Sequence, residues 1–399
     1  MRSCHNGAVR VWWLPVILLL AAAGLQLAPS LPDLSPADAK PGSGVRCTKT
    51  LGAGSSVEQA ISATRGGTTI CLKAGSYDSI EAAGVKKSPA VTIRSAPGAR
   101  AKLSGIDLID PSGLRFVALD VSDGVSVSPS ASNIQFVNNN ITGSNGIYMF
   151  GDYRIGKQID NVLIEGNYIH DIDYSGSQET GYGYGIEGVG DARHVIVRGN
   201  TIESTASDYI QSATPVHWIV DRNTFLGPSL LGSHEDHQDL WQIFGGGRDI
   251  AFTNNIARYT GTQESLLFQE GYFRKVVVKN NLFDHDSRGY TCQIYQSDGL
   301  VFSHNTIVGS RWGCLFRDEA SSPPGSGYRI ENNVFAETSD GGDISTEGRA
   351  GDWGTYDYNV SSDSSASGRH SLRRWSPRWS GRATYAPLGL PFAAGYEAP

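Results

Sequence analysis

VIVRGNTI (195–202) and WIVDRNTF (218–225) are two copies of one eight-residue pattern that recurs along the chain. Each copy alternates apolar residues over three positions, continues with two polar or glycine residues and an Asn, and ends on an apolar residue. Further copies begin at 134, 162, 250, 276, 300 and 328, and a degraded copy surrounds Asn359. Successive asparagines, at 139, 167, 200, 223, 255, 281, 305, 333 and 359, are 23 to 33 residues apart. A period of this size is typical of solenoid proteins.

The variable step between copies indicates that the strands are fixed while the turns between them accept insertions. A parallel β-helix has this property, because equivalent strands of neighbouring coils pair at a spacing of about 4.8 Å. The sequence therefore predicts nine coils with the recurring Asn side chains stacked in a row. Such amides bond to each other and to turn backbone, so we assign them a structural role and no catalytic one.

The segment SSVEQAISATRGG (55–67) has apolar residues at Val57, Ala60 and Ile61, which predicts a short helix that caps the open end of the core. The strand-like stretches TTICLKAGSY (68–77), VTIRSAPGARAKLSG (91–105) and LRFVALDV (114–121) follow it as the first coils. This opening and the repeats after it resemble the right-handed parallel β-helix polysaccharide enzymes, a group that includes pectate lyases, chondroitinase-B-like and alginate lyases, alginate epimerases and polygalacturonases.

The resemblance implies an all-β, single-domain right-handed parallel β-helix over residues 45–360, followed by an irregular capping tail over 361–399. It implies less about the reaction, because one fold hosts many chemistries. The Asn-Thr-Asp, Asp-Asp and Gly-His-Gly motifs of polygalacturonases do not occur here. Lys275 and Lys279 lie on the strand of the Asn motif and not on the preceding strand, where a substrate groove is expected, so the Lys/Arg pair of chondroitinase-B-like lyases is not matched either. No catalytic residue is therefore transferred by motif.

Residues 1–39 predict a secretory signal and a tether, since basic residues precede the apolar run VWWLPVILLLAAAGLQLA (11–28). An uncleaved anchor is the alternative, and only then would the protein contact a membrane. We expect a secreted, periplasmic or otherwise extracytoplasmic protein, where the pairs Cys47 with Cys71 and Cys292 with Cys314 form disulfides. The net charge of −7 and pI near 5.7 argue against a nucleic-acid partner, and a monomer is expected.

Strand alternation predicts one outward column on the sheet that precedes each Asn motif. Its members are Tyr148, Glu187, Gln211, Gln242, Gln269, Gln296 and Arg317. Four consecutive glutamines suit a hydroxyl-rich ligand, because amides both donate and accept hydrogen bonds. A glutamine ladder that only stabilises the sheet is the alternative.

Two long insertions favour the ligand-binding interpretation. They occupy 168–184 and 224–239, and the second includes SHEDHQDLWQ (233–242). Loops carried by a rigid scaffold often hold functional residues, so we expect these insertions to form the walls of a sugar cleft. The predicted substrate-binding residues are Gln211, Gln242, Gln269, Gln296, Tyr182, Tyr184 and Trp241.

Asp208 and Asp239 each precede a column glutamine by three residues, in DYIQ and DLWQ, so they should stack on adjacent coils. Close carboxylates need a cation, a histidine or a pKa shift to relieve their repulsion. Three interpretations remain open: an acid/base pair, a Ca²⁺ site completed by Glu187 or Asp236, or a structural pair that caps turns. Apart from this possible Ca²⁺, no cofactor is expected.

The favoured function is a polysaccharide lyase that performs β-elimination at a uronic acid. His237 or His234 would be the base, Arg317 or Ca²⁺ would neutralise the uronate carboxylate, and Tyr182 or Tyr184 would donate a proton. In a glycoside hydrolase, the alternative, Asp208, Asp239 or Glu187 would share the acid and base roles. An alginate-type epimerase and a non-catalytic carbohydrate-binding β-helix are the other hypotheses. For each the expected partner is a polysaccharide, and whether it is acidic stays open.

Overall fold

The computed structural model describes residues 46–152, 156–173, 183–227, 238–319, 322–376, 378–379, 387–388, 390–391 and 393–397. Three parallel sheets of 13, 11 and 12 strands extend from Lys49 to Ser361, and we call them sheets 1, 2 and 3 in that order. Each complete coil passes from sheet 2 to sheet 1 to sheet 3, as in Ile186–Val189, Ala192–Arg198 and Thr201–Glu203. The fold is a right-handed parallel β-helix, which confirms the predicted fold class.

Sheet 1 consists of the strands Lys49–Leu51, Thr69–Leu72, Lys86–Ser95, Ser112–Val117, Ser132–Val137, Ile159–Glu165, Ala192–Arg198, Val216–Asp221, Gly247–Thr253, Phe273–Lys279, Ser297–Ser303, Tyr328–Glu331 and Gly354–Asp357. Sheet 2 consists of Ile80–Ala83, Ile106–Ile109, Val125–Val127, Ile147–Phe150, Ile186–Val189, Ile210–Ala213, Trp241–Phe244, Leu266–Gln269, Tyr290–Ile294, Trp312–Phe316 and Ile344–Thr346. Sheet 3 consists of Gly75–Tyr77, Ala101–Leu103, Asp120–Val121, Asn140–Gly143, Tyr168–Ile172, Thr201–Glu203, Thr224–Leu226, Ile256–Arg258, Leu282–Asp284, Thr306–Val308, Val334–Ala336 and Val360–Ser361. A separate antiparallel pair joins Arg378–Trp379 to Pro387–Leu388.

The turn from sheet 1 to sheet 3 holds the predicted asparagine row. Asn200 Nδ2 donates to Asn223 Oδ1 at 2.9 Å, and Asn223 Nδ2 donates to Asn255 Oδ1 at 3.1 Å. The same bond links every neighbouring pair from Asn139 to Asn359. The residue before each of these asparagines has a positive φ, a conformation that Gly and Asn adopt most readily. This explains why Gly or Asn precedes the row asparagine in most copies of the repeat.

The interior of the coils is one continuous apolar core in which Trp218, Trp241 and a file of phenylalanines are fully buried. A six-residue helix, Val57–Ser62, begins at the N-cap Ser56, whose hydroxyl accepts from the Gln59 N–H. Its apolar residues Val57, Ala60 and Ile61 are buried in the same core. A short 3₁₀-helix spans Ala350–Asp352. In the part of the chain that the structure describes, no helix has the length and apolar character needed to cross a bilayer.

Both predicted disulfides are present. Cys47 bonds to Cys71 with a Cα–Cα distance of 5.6 Å, and Cys292 bonds to Cys314 with a Cα–Cα distance of 4.5 Å. Each bridge joins neighbouring coils. Cys292 and Cys314 are Cα partners on adjacent strands of sheet 2, and Cys71 lies on the strand that pairs with Lys49–Leu51, which begins just after Cys47. The signal, anchor and tether predicted for residues 1–39 lie outside the described residues.

The last residues of the chain run back over the solenoid. Gly395, Tyr396 and Glu397 donate their backbone N–H groups, at 2.8, 2.8 and 2.6 Å, to acceptors in three successive coils: Asn332 O, Thr306 Oγ1 and Asn280 Oδ1. We call residues 395–397 the C-terminal strap. It ties together three successive coils, one more than the pairing of a single strand with its neighbour joins.

Candidate active site

The outward column of sheet 2 brings together Glu187, Gln211 and Gln242 on three adjacent strands. Cα pairing places Glu187 opposite Gln211 and Gln211 opposite Gln242. All three side chains are half-buried. Gln211 Nε2 donates to Gln242 Oε1 at 2.8 Å, so the two amides link neighbouring coils on the outer face.

Beyond Gln242 the column differs from the prediction. Gln242 pairs with Leu267, and Leu267 pairs with Gln293. Gln269 lies two residues further along its strand, opposite Phe244. Leu267 points outward but is only 2% exposed, and this apolar residue in an outward position concealed the register in the sequence.

The predicted column of four glutamines is therefore wrong, because Gln269 and Gln296 do not continue it. Gln296 lies beyond the end of Tyr290–Ile294, is fully buried, and donates to the backbone oxygen of Glu319. Its amide is not available on the outer face of sheet 2.

Arg317 lies far from the predicted carboxylates. Its guanidinium forms an ion pair with Glu347 at 2.7 Å and donates to Tyr295 Oη at 3.0 Å. The strand that it follows, Trp312–Phe316, is four strands away from Ile210–Ala213, or roughly 19 Å. Arg317 is therefore not placed to neutralise a substrate carboxylate beside Asp208, and that prediction is wrong.

Trp241 was predicted to contact substrate, but its side chain is fully buried. Its indole N–H donates to Ser212 Oγ at 3.1 Å, and its ring packs against Phe268 with the centroids 5.5 Å apart. The alternation of the strand points it into the core, so the prediction of a ligand contact is wrong.

A row of three carboxylates lies at the turn where the chain enters sheet 2. Asp208, Asp239 and Glu264 occupy equivalent positions on consecutive coils and are 2%, 0% and 8% exposed. The Asp239 N–H donates to Asp208 Oδ1 at 2.7 Å, and the Glu264 N–H donates to Asp239 Oδ1 at 3.0 Å. In each aspartate, Oδ1 thus accepts from the turn backbone of the next coil, as the turn-capping interpretation expects.

Burial raises the pKa of the Asp208 carboxyl to about 7. Burial also raises the pKa of Asp239 well above its ordinary value, and the charges of Asp208 and Glu264 add to this effect. Asp208 and Asp239 therefore retain protons to a higher pH than ordinary aspartates do, which relieves the repulsion between them.

Glu187, in the outward column of sheet 2, is the carboxyl that faces the outer surface beside this row. Burial, and then the charge of Asp208, raise its pKa to about 7. At neutral pH it is therefore present in both protonation states, so it can accept or donate a proton.

Gln211 connects the column to the carboxylate row. Its Nε2 lies 3.1 Å from Asp208 Oδ2 and 3.2 Å from Tyr184 Oη. Burial raises the pKa of the Tyr184 hydroxyl, which stays protonated at neutral pH. Gln211 is thus held by groups on both sides, and its orientation on the outer face is fixed.

The predicted residues Tyr182, His234, Asp236 and His237 lie outside the described residues, within 174–182 and 228–237. Gln238, which follows the second of these segments, donates to the backbone oxygens of Thr205 at 2.9 Å and Ser207 at 2.8 Å. That insertion therefore rejoins the described chain beside the coil of Asp208. The roles of the two histidines remain predictions.

The predicted Ca²⁺ ligands were Asp208, Asp236 and Asp239. Both carboxyl oxygens of Asp208 already accept hydrogen bonds from protein groups, as does Asp239 Oδ1. Among the described residues no three His, Cys, Asp or Glu side chains converge in a metal-binding arrangement. Asp236, the third predicted ligand, lies outside the described residues, so the calcium site stays a prediction, and no step proposed below uses a metal.

Sequence reasoning missed Glu264 as the third carboxylate. It precedes Leu267 by three residues, the same offset as Asp208 from Gln211, so the offset would have found it if Leu267 had been recognised as a column residue. The sequence also carries no signal for two pockets on the outer face of sheet 2. One is lined by Ser79, Asp107, Asp123 and Asn145 among others, and the second lies beyond Glu264.

No family model matches the chain, and no curated protein matches it by sequence. Solved structures do match. The A-module of the mannuronan C-5 epimerase AlgE4 of Azotobacter vinelandii is 14% identical with a TM-score of 0.51, over 82% of this chain and 94% of that module. The PL6 family alginate lyase AlyGC is 13% identical with a TM-score of 0.53, over 87% of this chain but 56% of the lyase.

A third match is PfbA, a surface adhesin of Streptococcus pneumoniae, which is 12% identical with a TM-score of 0.51, over 71% of this chain and 86% of the adhesin. The chain shares its parallel β-helix fold with two enzymes and an adhesin. At these identities the likeness concerns the fold.

Proposed function

We propose that the protein is a carbohydrate-active enzyme that acts on a polysaccharide bound across the outer face of sheet 2, with Glu187 as the proton-transferring residue. The observation that carries this proposal is that Glu187 is half-buried on the outward column while its pKa is raised to about 7. Gln211 and Gln242 lie beside it on that column as hydrogen-bonding groups for sugar hydroxyls.

For the reaction we propose β-elimination at a uronic acid. The Glu187 carboxylate accepts the proton from the carbon α to the uronate carboxyl, and the electron pair of that C–H bond forms a C–C double bond to the β carbon. The bond from the β carbon to the leaving sugar oxygen breaks, and that oxygen takes up a proton from water. The retained protons on Asp208 and Asp239 lower the negative charge that an acidic substrate meets. The structural neighbours named as an alginate lyase and a mannuronan epimerase support a polysaccharide substrate.

Hydrolysis is the second candidate, and one observation favours it. The pKa values of both Glu187 and Asp208 are raised to about 7, and the charge of Asp208 contributes to the shift of Glu187. Two interacting carboxyls are the machinery of glycoside hydrolysis.

The two disulfides support export from the cytoplasm as part of the same proposal.

The test is turnover on a panel of acidic and neutral polysaccharides, with ultraviolet absorbance of unsaturated ends and reducing sugar measured in parallel. We expect Glu187→Gln to lower turnover about 100-fold or more with an unchanged melting temperature. Wild-type activity should change with pH around the Glu187 pKa of about 7. Glu81→Gln is the matched control, because Glu81 is an exposed member of the same outward column.

Unsaturated ends would support elimination, and reducing ends without absorbance would support hydrolysis. Full turnover in Glu187→Gln would remove Glu187 from the mechanism. Binding without turnover on every polysaccharide would favour the non-catalytic carbohydrate-binding hypothesis, as would be expected of an adhesin.

A further inference from the structure

A pocket with a volume of about 280 Å³ lies further along the outer face of sheet 2, towards the C-terminal coils. Its lining includes Gln263, Glu264, Arg288, Tyr290, Arg311 and Trp312. The proposed reaction does not use this pocket.

The pocket continues the carboxylate row. Asp208, Asp239 and Glu264 are followed at the same position of the next two coils by Tyr290 and Trp312, which are Cα partners. Three coil spacings separate Asp208 from Tyr290, or roughly 14 Å. A linear polymer that lies along sheet 2 therefore reaches this pocket and Glu187 at the same time.

Aromatic and amide side chains give the pocket the composition of a sugar site. The Tyr290 and Trp312 rings stack with centroids 5.1 Å apart, and both are half-buried. They offer apolar surface to the C–H groups of a pyranose. Gln263 and Gln293 line the same pocket and can bond to hydroxyls.

Two guanidinium groups give the pocket its charge. Arg311 lies over the Trp312 ring at 4.0 Å, and its Nε donates to Asp340 at 2.7 Å. Arg288 Nε donates to the Gly261 carbonyl at 2.8 Å, and within the described residues Arg288 forms no ion pair. The forked donors of arginine match the paired oxygens of an anion.

Glu264 lines the pocket and Asp340 contacts Arg311. Glu264 is 8% exposed and hydrogen-bonds through its side chain to Asp239, and Asp340 bonds to only one nitrogen of Arg311. The pocket at the other end of the row differs, since it is lined by Asp107 and Asp123 and by no arginine or lysine among the described residues. Of the two pockets, only the one towards the C-terminal coils therefore has arginines in its lining, while the other has aspartates and no cation among the described residues.

We infer that the Arg288/Arg311 pocket binds an anionic sugar unit, carrying a carboxylate or a sulfate ester, and so fixes which unit of the polymer reaches Glu187. The inference rests on the proposed function, because it assumes a polysaccharide along sheet 2. It adds a direction: the anionic unit lies towards the C-terminal coils, and the Asp107/Asp123 pocket receives a neutral unit.

The test is calorimetric binding to the full-length protein of three oligosaccharides of equal length: an oligouronate, a sulfated one and a neutral one. The wild type should bind at least one anionic probe about tenfold or more tightly than the neutral probe, with an affinity that falls as salt is added. Arg288→Gln and Arg311→Gln should each weaken that binding about tenfold and leave the neutral probe unaffected. Arg274→Gln is the matched control, because Arg274 lies over an aromatic ring, Tyr272, but on sheet 1.

Equal affinity of the wild type for all three probes, or no binding of any, overturns the inference. So does unchanged anion binding in both arginine variants with intact melting temperatures. If Arg311→Gln is unstable because its bond to Asp340 is lost, Arg288→Gln decides, since within the described residues Arg288 bonds to the Gly261 carbonyl and forms no ion pair. Failure of the proposed function appears differently, as full turnover in Glu187→Gln or no turnover at all while arginine-dependent binding persists.

Discussion

Replacing Asn223 with Ala removes one member of the asparagine row from the middle of the solenoid. Asn223 Nδ2 donates to Val197 O at 2.9 Å and to Asn255 Oδ1 at 3.1 Å, and its Oδ1 accepts from both the N–H and the Nδ2 of Asn200, each at 2.9 Å. Asn223 is 1% exposed, so water does not replace these partners in the folded protein.

The cost follows from these contacts. Each buried hydrogen bond contributes about 1 kcal/mol net, and each buried group left without a partner costs about 1–3 kcal/mol. The substitution leaves the Asn200 N–H and one hydrogen of its side-chain amide without acceptors. We therefore expect the free energy of unfolding to fall by about 3–6 kcal/mol, a large part of the stability of an ordinary domain.

Urea unfolding followed by far-ultraviolet circular dichroism and by tryptophan fluorescence measures this loss. Asn140→Ala is the matched control, because Asn140 is half-buried outside the row and its Oδ1 has one side-chain partner, His170 Nε2 at 2.9 Å. We expect the control to lose about 1 kcal/mol or less. A loss in Asn223→Ala no larger than that of the control would refute the structural role of the row.

Three further predictions concern stability. Burial raises the pKa of Asp286 to about 7, so the folded protein binds this proton more tightly than the unfolded chain does. The melting temperature should therefore fall as pH rises from about 4 to about 7. It should fall less in Asp286→Asn, which has no carboxyl to titrate at this position. Replacing Cys292 and Cys314 with Ala should lower the free energy of unfolding in urea by about 3 kcal/mol, since the bridge spans 22 residues. Gly188→Ala places a Cβ 2.5 Å from the Trp218 ring and should cost about 1–3 kcal/mol in the same assay; an unchanged midpoint would contradict the packing.

The repeat could be predicted from the sequence because each copy uses the same residue types at the same positions. An Asn that must bond to the next coil recurs at every turn, and the apolar positions before it are all core positions. The disulfide pairs followed for the same reason, since Cys292 and Cys314 have the same register in adjacent coils.

The site was harder to predict because the strand register on sheet 2 depends on apolar side chains, and an apolar side chain does not show whether it faces outward or into the core. Leu267 and Leu315 point outward on sheet 2 but are apolar, so the pattern placed Gln269, Gln296 and Arg317 in a column that they do not share with Gln242. Nothing in the sequence distinguishes a buried outward leucine from a core one. Only the strand pairing on sheet 2 places Glu264 and the arginine pocket on the same face as Gln242.

The C-terminal strap changes how such a molecule can come apart. In a stack whose members contact only their neighbours, the terminal member frays alone and the loss advances one member at a time. The strap reaches from Asn332 back to Asn280, so the coils beneath it must loosen together or remain closed. We therefore expect the coils at this end of the solenoid, which include those nearest the arginine pocket, to unfold cooperatively and not one at a time.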